Sequence, residues 1–538
     1  MSRAGVLSAV VVGSAMVFLD GTVVNVALPK IGQELPSTLF GTLEAQSYVY
    51  NVYLLSLSSL LILAGAVGDH YGRRRIFALG LIGFTITSVF CGIAPTMELL
   101  ILARFLQGAA GALLVPGSLS IITATFPDGE PRGRALGIWA GATTLVTLAG
   151  PLLGGFLVDT ISWRAAFLVN VPLGAVALWA TLRFVPESRD DSATARLDWL
   201  GAAVIAVAIG GLALGAIRGQ ESQWQDTGAW VALGLGLAAA IAFPFLMKRS
   251  DHPLVPPELF RNSNFTITNI STLLVYGGIY VVGYVMALFL QGTVGYTALA
   301  AGLAGIPGFL LLGLFSERFG VFAGRYGPRR FMVMGPAVMA LGILWLGRFP
   351  VDSQGWRLVA GDPSSWLPPS SYLIDVLPSM LVYGFGLTML VAPLTTALMG
   401  SVPVERAGLA SAINNAVSRV GPQLAGAAIF IAITAVFYTQ MAVAVPSMDV
   451  DSPEVREQVA PLNPPADDVS PEVAAASSGA STDSFRVAMW ISAGLMAAGA
   501  LVNLRISDAR QQVGQAAASG HSAAGPAIEQ EDVGPELR

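Results

Sequence analysis

The chain has 538 residues, of which 54% are hydrophobic and 12% charged, and a mean hydropathy of +0.66. Soluble globular proteins carry about 25% charged residues, so that class is excluded. Apolar runs of about 20 residues recur along the chain, each long enough to cross a bilayer core of about 30 Å. The net charge of −5 decides little, because placement of charge governs a membrane protein more than its sum.

The first run covers 5–29 and ends without a small-residue cleavage site, so it is expected to be a retained spanner. It is apolar except for one carboxylate, Asp20. A charge at the centre of a spanning helix costs about 2.5–3.5 kcal/mol on insertion scales and therefore faces a cavity or a partner. Spans at 45–67, 76–95, 98–120, 134–158 and 163–184 complete a first group of six. A pair follows at 197–217 and 228–247. A second group of six lies at 265–291, 299–322, 331–348, 375–399, 407–435 and 485–505, making fourteen in all. The lone cysteine, Cys91, falls in an apolar run, which excludes an internal disulfide and argues against a thiol-ligated metal site.

Basic residues set the orientation. With the N-terminus in the cytoplasm, twenty of the 29 fall in inside segments and seven outside, while Arg104 and Arg419 lie within spans. Both termini are therefore placed in the cytoplasm. Two outside segments are long, 349–374 and 436–484. The second is rich in Pro, Ser, Ala, Asp and Glu and poor in aromatics, and is expected to be mobile. The polar, alanine-rich tail 506–538 is expected to be disordered.

Two pairs of segments repeat. GAVGDHYGRRRIF from Gly65 aligns with GVFAGRYGPRRFM from Gly320 at an offset of 255, with Gly65, Tyr71, Gly72, Arg74 and Arg75 identical. GPLLGG (150–155) aligns with GPQLAG (421–426) at an offset of 271, with four of six positions identical. The order and similar offsets point to duplication. The expected domains are an N-terminal six-helix half (1–196), an inserted pair (197–250) and a C-terminal six-helix half (251–505). Paired halves with a site between them at the midplane are the architecture of secondary transporters.

Four signatures carry a resemblance: LDGTVVNVALP (19–29), GAVGDHYGRRR (65–75), RFLQGAAGALLVPGSL (104–119) and the GPLLGG box. Together they resemble the major facilitator superfamily, specifically its fourteen-helix drug:proton antiporter branch, over almost all of the chain to about Arg505. The resemblance implies an all-α polytopic membrane protein with a major facilitator fold, two six-helix halves plus two inserted helices. It implies a plasma-membrane exporter of drugs or antibiotics. The chain departs from the pattern in two places. His70 stands where a basic residue usually follows the loop aspartate, and the second loop copy has Gly324 in place of that aspartate. The loop gate is then either weakened or held mainly by Asp69 with a partner on another helix.

Asp20 and Arg104 are the first candidates for function. They lie about 13 Å and about 9 Å below the outer ends of their helices at 1.5 Å per residue, so they can share a level. Burial favours a neutral acid and a nearby cation favours the carboxylate; an acid balanced between the two can take a proton on one side and release it on the other. The resemblance implies that both helices line the central cavity and that the pair belongs to the proton-coupling apparatus. The other reading is a static pair that fixes packing. In the loop motif, Gly65 and Gly72 permit close approach, Asp69 caps or pairs across the halves, and Arg73 and Arg74 hold the loop at the anionic inner leaflet. Gly150, Pro151, Gly154 and Gly155 describe a bent, tightly packed helix; the resemblance associates this box with export.

Candidate substrate-cavity residues are Gln46, Asn51, Gln107, Asn414, Asn415 and Arg419, with Tyr276, Tyr280 and Tyr284 on one helix face. Tyrosines with a polar tip suit an amphipathic ligand, and packing alone is the other reading of that stripe. Arg419 has no acid at its depth in the second half, so the substrate is expected to be neutral or anionic rather than a dication; the competing role for Arg419 is snorkelling or carbonyl capping. No phosphate-binding loop, zinc-ligand cluster or catalytic triad is visible, and the chain has three histidines and two lysines. No enzyme, cofactor, metal or nucleic-acid partner is therefore expected. The expected partners are a lipophilic small molecule, protons and the bilayer, with a monomer driven by the proton gradient in a bacterial membrane. The rival functions are a narrow transporter of one metabolite and a non-transporting membrane sensor, the latter disfavoured by the lack of any signalling domain.

Overall fold

The computed structural model describes residues 2–507 except 39–41, 127–128, 190–197, 222–224, 252, 360, 403–406, 451 and 467. The tail from 508 onward, and with it most of the segment expected to be disordered, lies outside the described residues. Among the described residues all regular structure is helical, as a bilayer demands of a chain whose every backbone polar group must be satisfied within its own segment.

Among the described residues fourteen helices are long and apolar enough to cross a membrane. The first six are α1 (Arg3–Glu34), α2 (Thr42–Tyr71), α3 (Arg73–Ile93), α4 (Met97–Thr125), α5 (Gly129–Thr160) and α6 (Ala165–Phe184). The inserted pair is α7 (Trp199–Glu221) and α8 (Thr227–Arg249). The last six are α9 (Ser263–Val294), α10 (Leu299–Tyr326), α11 (Pro328–Leu346), α12 (Tyr372–Gly400), α13 (Ala407–Ala444) and α14 (Pro471–Asn503). Short polar residues start several of them: the Thr96 hydroxyl accepts from the Leu99 N–H, and Asn262 Oδ1 accepts from the Asn264 and Phe265 N–H groups. Pro116, Pro151, Pro393 and Pro422 sit inside α4, α5, α12 and α13, where each removes a backbone donor.

The duplication read from sequence has a backbone counterpart. Gly72 (φ 109°) and Gly327 (φ 89°), at the 255-residue offset, are the hinges between α2 and α3 and between α10 and α11. Both sit in a region that side-chain-bearing residues rarely enter. The two Gly-Pro boxes also match. A methyl on Gly150 would press on Thr22 of α1 and lie 3.6 Å from the Leu19 carbonyl, and one on its counterpart Gly421 would meet the Leu273 carbonyl of α9 at 2.5 Å. Thus α5 seats on α1 as α13 seats on α9.

Separate apolar cores fill the first half, around Leu57, Phe84 and Trp163, and the second, around Phe289, Met339 and Phe485. A further cluster joins Ile62 of α2, Ile209 of α7 and Ile413 of α13. The inserted pair therefore packs through α7 onto both halves, while only 11% of the most apolar stretch of α8 is buried. Gly211 and Gly236 bring α7 and α8 into backbone contact.

Two expectations need adjusting. The span expected to end at 322 continues through the charged stretch to Tyr326. The outer segment 436–484 is also shorter and more structured than its composition suggests. Helix α13 extends to Ala444, α14 begins at Pro471, and a short helix forms at Pro453–Gln458. Val459 is buried with Phe437, Met441 and Ala480, and the Leu462 N–H donates to Ser481 Oγ at 3.1 Å. The apolar anchors come from the flanking helices, which is why the composition of the segment alone did not show them.

Candidate functional site

Asp20, Arg104, Gln107, Ser88 and Asn170 are all fully buried inside the first half, on α1, α4, α4, α3 and α6. Arg104 Nη1 donates to Asp20 Oδ2 in a salt bridge and to Gln107 Oε1 at 2.7 Å. Arg104 Nε donates to the Val49 carbonyl of α2 at 3.0 Å. Asp20 Oδ1 accepts from Gln107 Nε2 at 2.9 Å and from Asn170 Nδ2 at 3.1 Å. The same two amides reach Ser88 Oγ at 2.8 and 3.3 Å, and Ser88 in turn donates to the Phe84 carbonyl at 2.7 Å. The guanidinium lies over the Tyr53 ring at 4.1 Å, and the Tyr53 hydroxyl donates to the Val17 carbonyl of α1 at 3.0 Å. Five helices thus converge on one carboxylate.

The direction of every donor matters chemically. Both amides and the guanidinium aim hydrogens at Asp20, so its two oxygens are met by three donors. The network has unfinished corners: Arg104 Nη2 and Asn170 Oδ1 have no partner among the described residues. Buried polar atoms left in this way are expensive, and Asn170 Oδ1 is an acceptor beside the one acid of the network. Sequence reasoning paired Asp20 with Arg104 by depth but expected both on the cavity wall. The structure instead encloses them, because a carboxylate held by three donors in a low-dielectric interior is best kept from water. Gln107, expected at the cavity, is the second amide of this network. Asn170, Ser88 and Tyr53 were not foreseen; the signal available for Asn170 was the one that marked Asp20, a polar group in an otherwise apolar span.

A cavity of about 90 Å³ lies between the halves. Its wall includes Tyr50 and Asn51 of α2, Tyr280 and Tyr284 of α9, and Arg419 and Gln423 of α13, with Ile217 of the inserted α7 at one side. Tyr50 and Tyr284 stack at 6.5 Å between ring centroids and 14° between planes, and Phe430 closes on Tyr284 edge-on at 5.6 Å. Tyr276 leans on Tyr280 at 6.5 Å rather than lining the space. Of the other candidates, Asn414 donates to Asn269 and Thr272 of α9 and pins two helices together, and Asn415 bonds within its own turn to Ser411. Both are committed to packing. Gln46 is on α2, with its side chain outside the described residues. Arg419 reaches over the Phe18 ring at 5.8 Å, two residues from Asp20. The halves also touch on either side of the cavity, with Gly65 against Ala412 toward the inner end and Pro151 against Gly302 toward the outer.

The loop motif anchors to the end of α6. Arg73 Nε donates to Asp69 Oδ1 at 2.8 Å, the Arg73 N–H to the Ser188 carbonyl at 2.9 Å, and the Arg74 N–H to Glu187 Oε1 at 3.1 Å. Arg75 approaches Glu187 at 3.6 Å. His70 packs against Tyr71 at the rim of a cytoplasmic recess shared with Glu187 and Arg189.

Fourteen spanning helices in two repeated halves, with a buried ion pair in one half and a cavity between them, define a secondary transporter. The chain belongs to the Major Facilitator Superfamily, whose model matches residues 10–426. It is 33% identical to "Multidrug resistance protein Stp" of Mycobacterium tuberculosis over 78% of this chain and 74% of that one. It is 30% identical to "Tetracenomycin C resistance and export protein" of Streptomyces glaucescens over 78% and 73%. The fold also matches the crystal structure of an auto-inhibited POT family peptide transporter, with a TM-score of 0.62, 14% identity and coverage of 94% and 98%. The protein is therefore a multi-pass transporter of the plasma membrane and not an enzyme.

Proposed function

We propose that this protein exports lipophilic or amphipathic small molecules in exchange for protons, by alternating access between the two six-helix halves. The observation that carries the proposal is the fully buried Asp20, held directly by Arg104 and Gln107 of α4 and Asn170 of α6, with α2 and α3 joined to the network through Val49 and Ser88. An acid held by so many elements cannot change protonation without altering how those elements pack. Phe18, two residues away, touches Arg419 at the cavity, which gives that change a route to the substrate site. The drug-resistance names of the relatives support export as the direction. On this reading the chain needs no cofactor, the proton gradient is the energy source, and a monomer suffices. The loop around Asp69 and the proline-containing α5 act as the moving contacts.

Inverted membrane vesicles carrying a pH-sensitive dye and an imposed proton gradient test the proposal. Lipophilic compounds added to the wild type should discharge the gradient, and Asp20→Asn should abolish the discharge. Equal discharge by the variant would sink the coupling role of Asp20. A narrower reading, export of a single compound, draws on relatives named for one antibiotic, such as tetracenomycin C; discharge by one chemical scaffold only would favour it.

A further inference from the structure

Charge at the central cavity is unbalanced. Arginine stays protonated inside proteins, so Arg419 brings a permanent positive charge to the wall. Among the described residues none that lines the space is acidic, and Arg419 forms no salt bridge with any described carboxylate. The nearest acid along the path through Phe18 is Asp20, whose two oxygens are occupied by Arg104, Gln107 and Asn170. An uncompensated cation near the midplane is expensive, and no described carboxylate offsets it, so an anionic guest would supply the counter-charge. The rest of the wall says what else that guest carries. The stacked faces of Tyr50 and Tyr284 and the edge of Phe430 offer ring surfaces, and Asn51 and Gln423 offer hydrogen bonds.

We infer that the cavity binds a planar aromatic monoanion, with its carboxylate or phenolate on the Arg419 guanidinium and its ring against the tyrosines. This rests on the cavity being the substrate site proposed above. The guanidinium presents a planar fork that matches a carboxylate, and ring contact adds about 0.5–1.5 kcal/mol per aromatic pair. A cationic guest would meet Arg419 with no acid to shield it. The 90 Å³ space is below the roughly 300–1,000 Å³ of a loaded ligand site, so the Tyr50–Tyr284 contact parts when the guest enters.

The full chain in phosphatidylcholine nanodiscs, where no anionic lipid competes, would be titrated with 2-anthracenecarboxylate, its methyl ester and the matching trimethylammonium, followed by fluorescence anisotropy. The carboxylate should bind at least tenfold tighter than the ester. Arg419→Gln should erase that advantage, and Arg419→Lys should keep part of it. Gln423→Glu, which gives Arg419 an internal partner, should erase it too and covers the case in which Arg419→Gln does not fold. The inference is overturned by an ester or ammonium that binds as tightly as the carboxylate, by a carboxylate that does not bind, or by an advantage that survives both Arg419→Gln and Gln423→Glu. Equilibrium binding needs no gradient. Arg419-dependent carboxylate binding without proton discharge would therefore break the coupling proposal alone, and discharge by neutral compounds without carboxylate preference would break this one alone.

Discussion

The two halves share a backbone plan and differ in what they do with charge. In the first, Arg104 is matched by Asp20 and sealed from the cavity by five helices. In the second, Arg419 stands two residues before the Gly-Pro box of α13, where the first half has Leu148, and opens onto the cavity without an acid. The halves thus share hinges and helix seats while their buried charge differs. A closed, self-satisfied pair suits a proton, which needs no space, and an open cation suits a guest that does.

Stability should separate the two arginines most strongly. Removing one partner of a buried ion pair costs about 3–5 kcal/mol because the other charge is stranded. Arg104→Gln should therefore lower the thermal midpoint sharply. Arg419→Gln, which strands no carboxylate, should leave it near the wild-type value. Melting curves of the purified variants in one detergent decide this, and equal losses would show that Arg419 has a structural duty equivalent to that of Arg104.

The helix seats offer the next contrast. A methyl at Gly421 would press on the Leu273 carbonyl at 2.5 Å, while one at Gly155 would meet Val26 at an ordinary 3.9 Å. Backbone cannot step aside, so Gly421→Ala should cost about 1–3 kcal/mol and Gly155→Ala almost nothing. Comparable melting of both would mean that α9 and α13 yield more readily than α1 and α5.

Much of this was legible in the sequence. The fourteen spans followed from hydropathy, because a bilayer tolerates few alternatives. The repeat was visible because its glycines are fixed by backbone geometry at Gly72 and Gly327. The pairing of Asp20 with Arg104 followed from counting residues along two helices. What the sequence hid was rotation about the helix axis. Depth does not say which face a residue presents, so Gln107 was placed on the cavity when it turns to Asp20, and Asn414 when it turns to Asn269. The order in the 445–470 segment was hidden too, since its anchors Phe437 and Ala480 belong to neighbouring helices.

A finer test concerns Asn170, which touches no ligand and acts only through Asp20. A net hydrogen bond is worth about 0.5–1.5 kcal/mol. Asn170→Ala removes one of the two amides on Asp20 Oδ1, so proton-coupled transport should fall while equilibrium substrate binding stays unchanged and the melting midpoint drops only slightly. A parallel loss of binding and stability would assign Asn170 to packing instead.

The smallest effect is expected at the loop motif, where the halves differ by an acid that the second copy lacks. Glu187 gathers the Arg74 N–H and the Arg75 guanidinium at the end of α6, yet Arg75 is 78% exposed. Surface pairs of this kind contribute about 0–1 kcal/mol and are screened by salt. Glu187→Gln should therefore shift the melting midpoint only slightly, and the shift should shrink further at high ionic strength. The Arg73 N–H bond to the Ser188 carbonyl survives the substitution, so the hinge at Gly72 keeps its seat. A large, salt-independent loss would place Glu187 among the contacts that hold the loop in one access state.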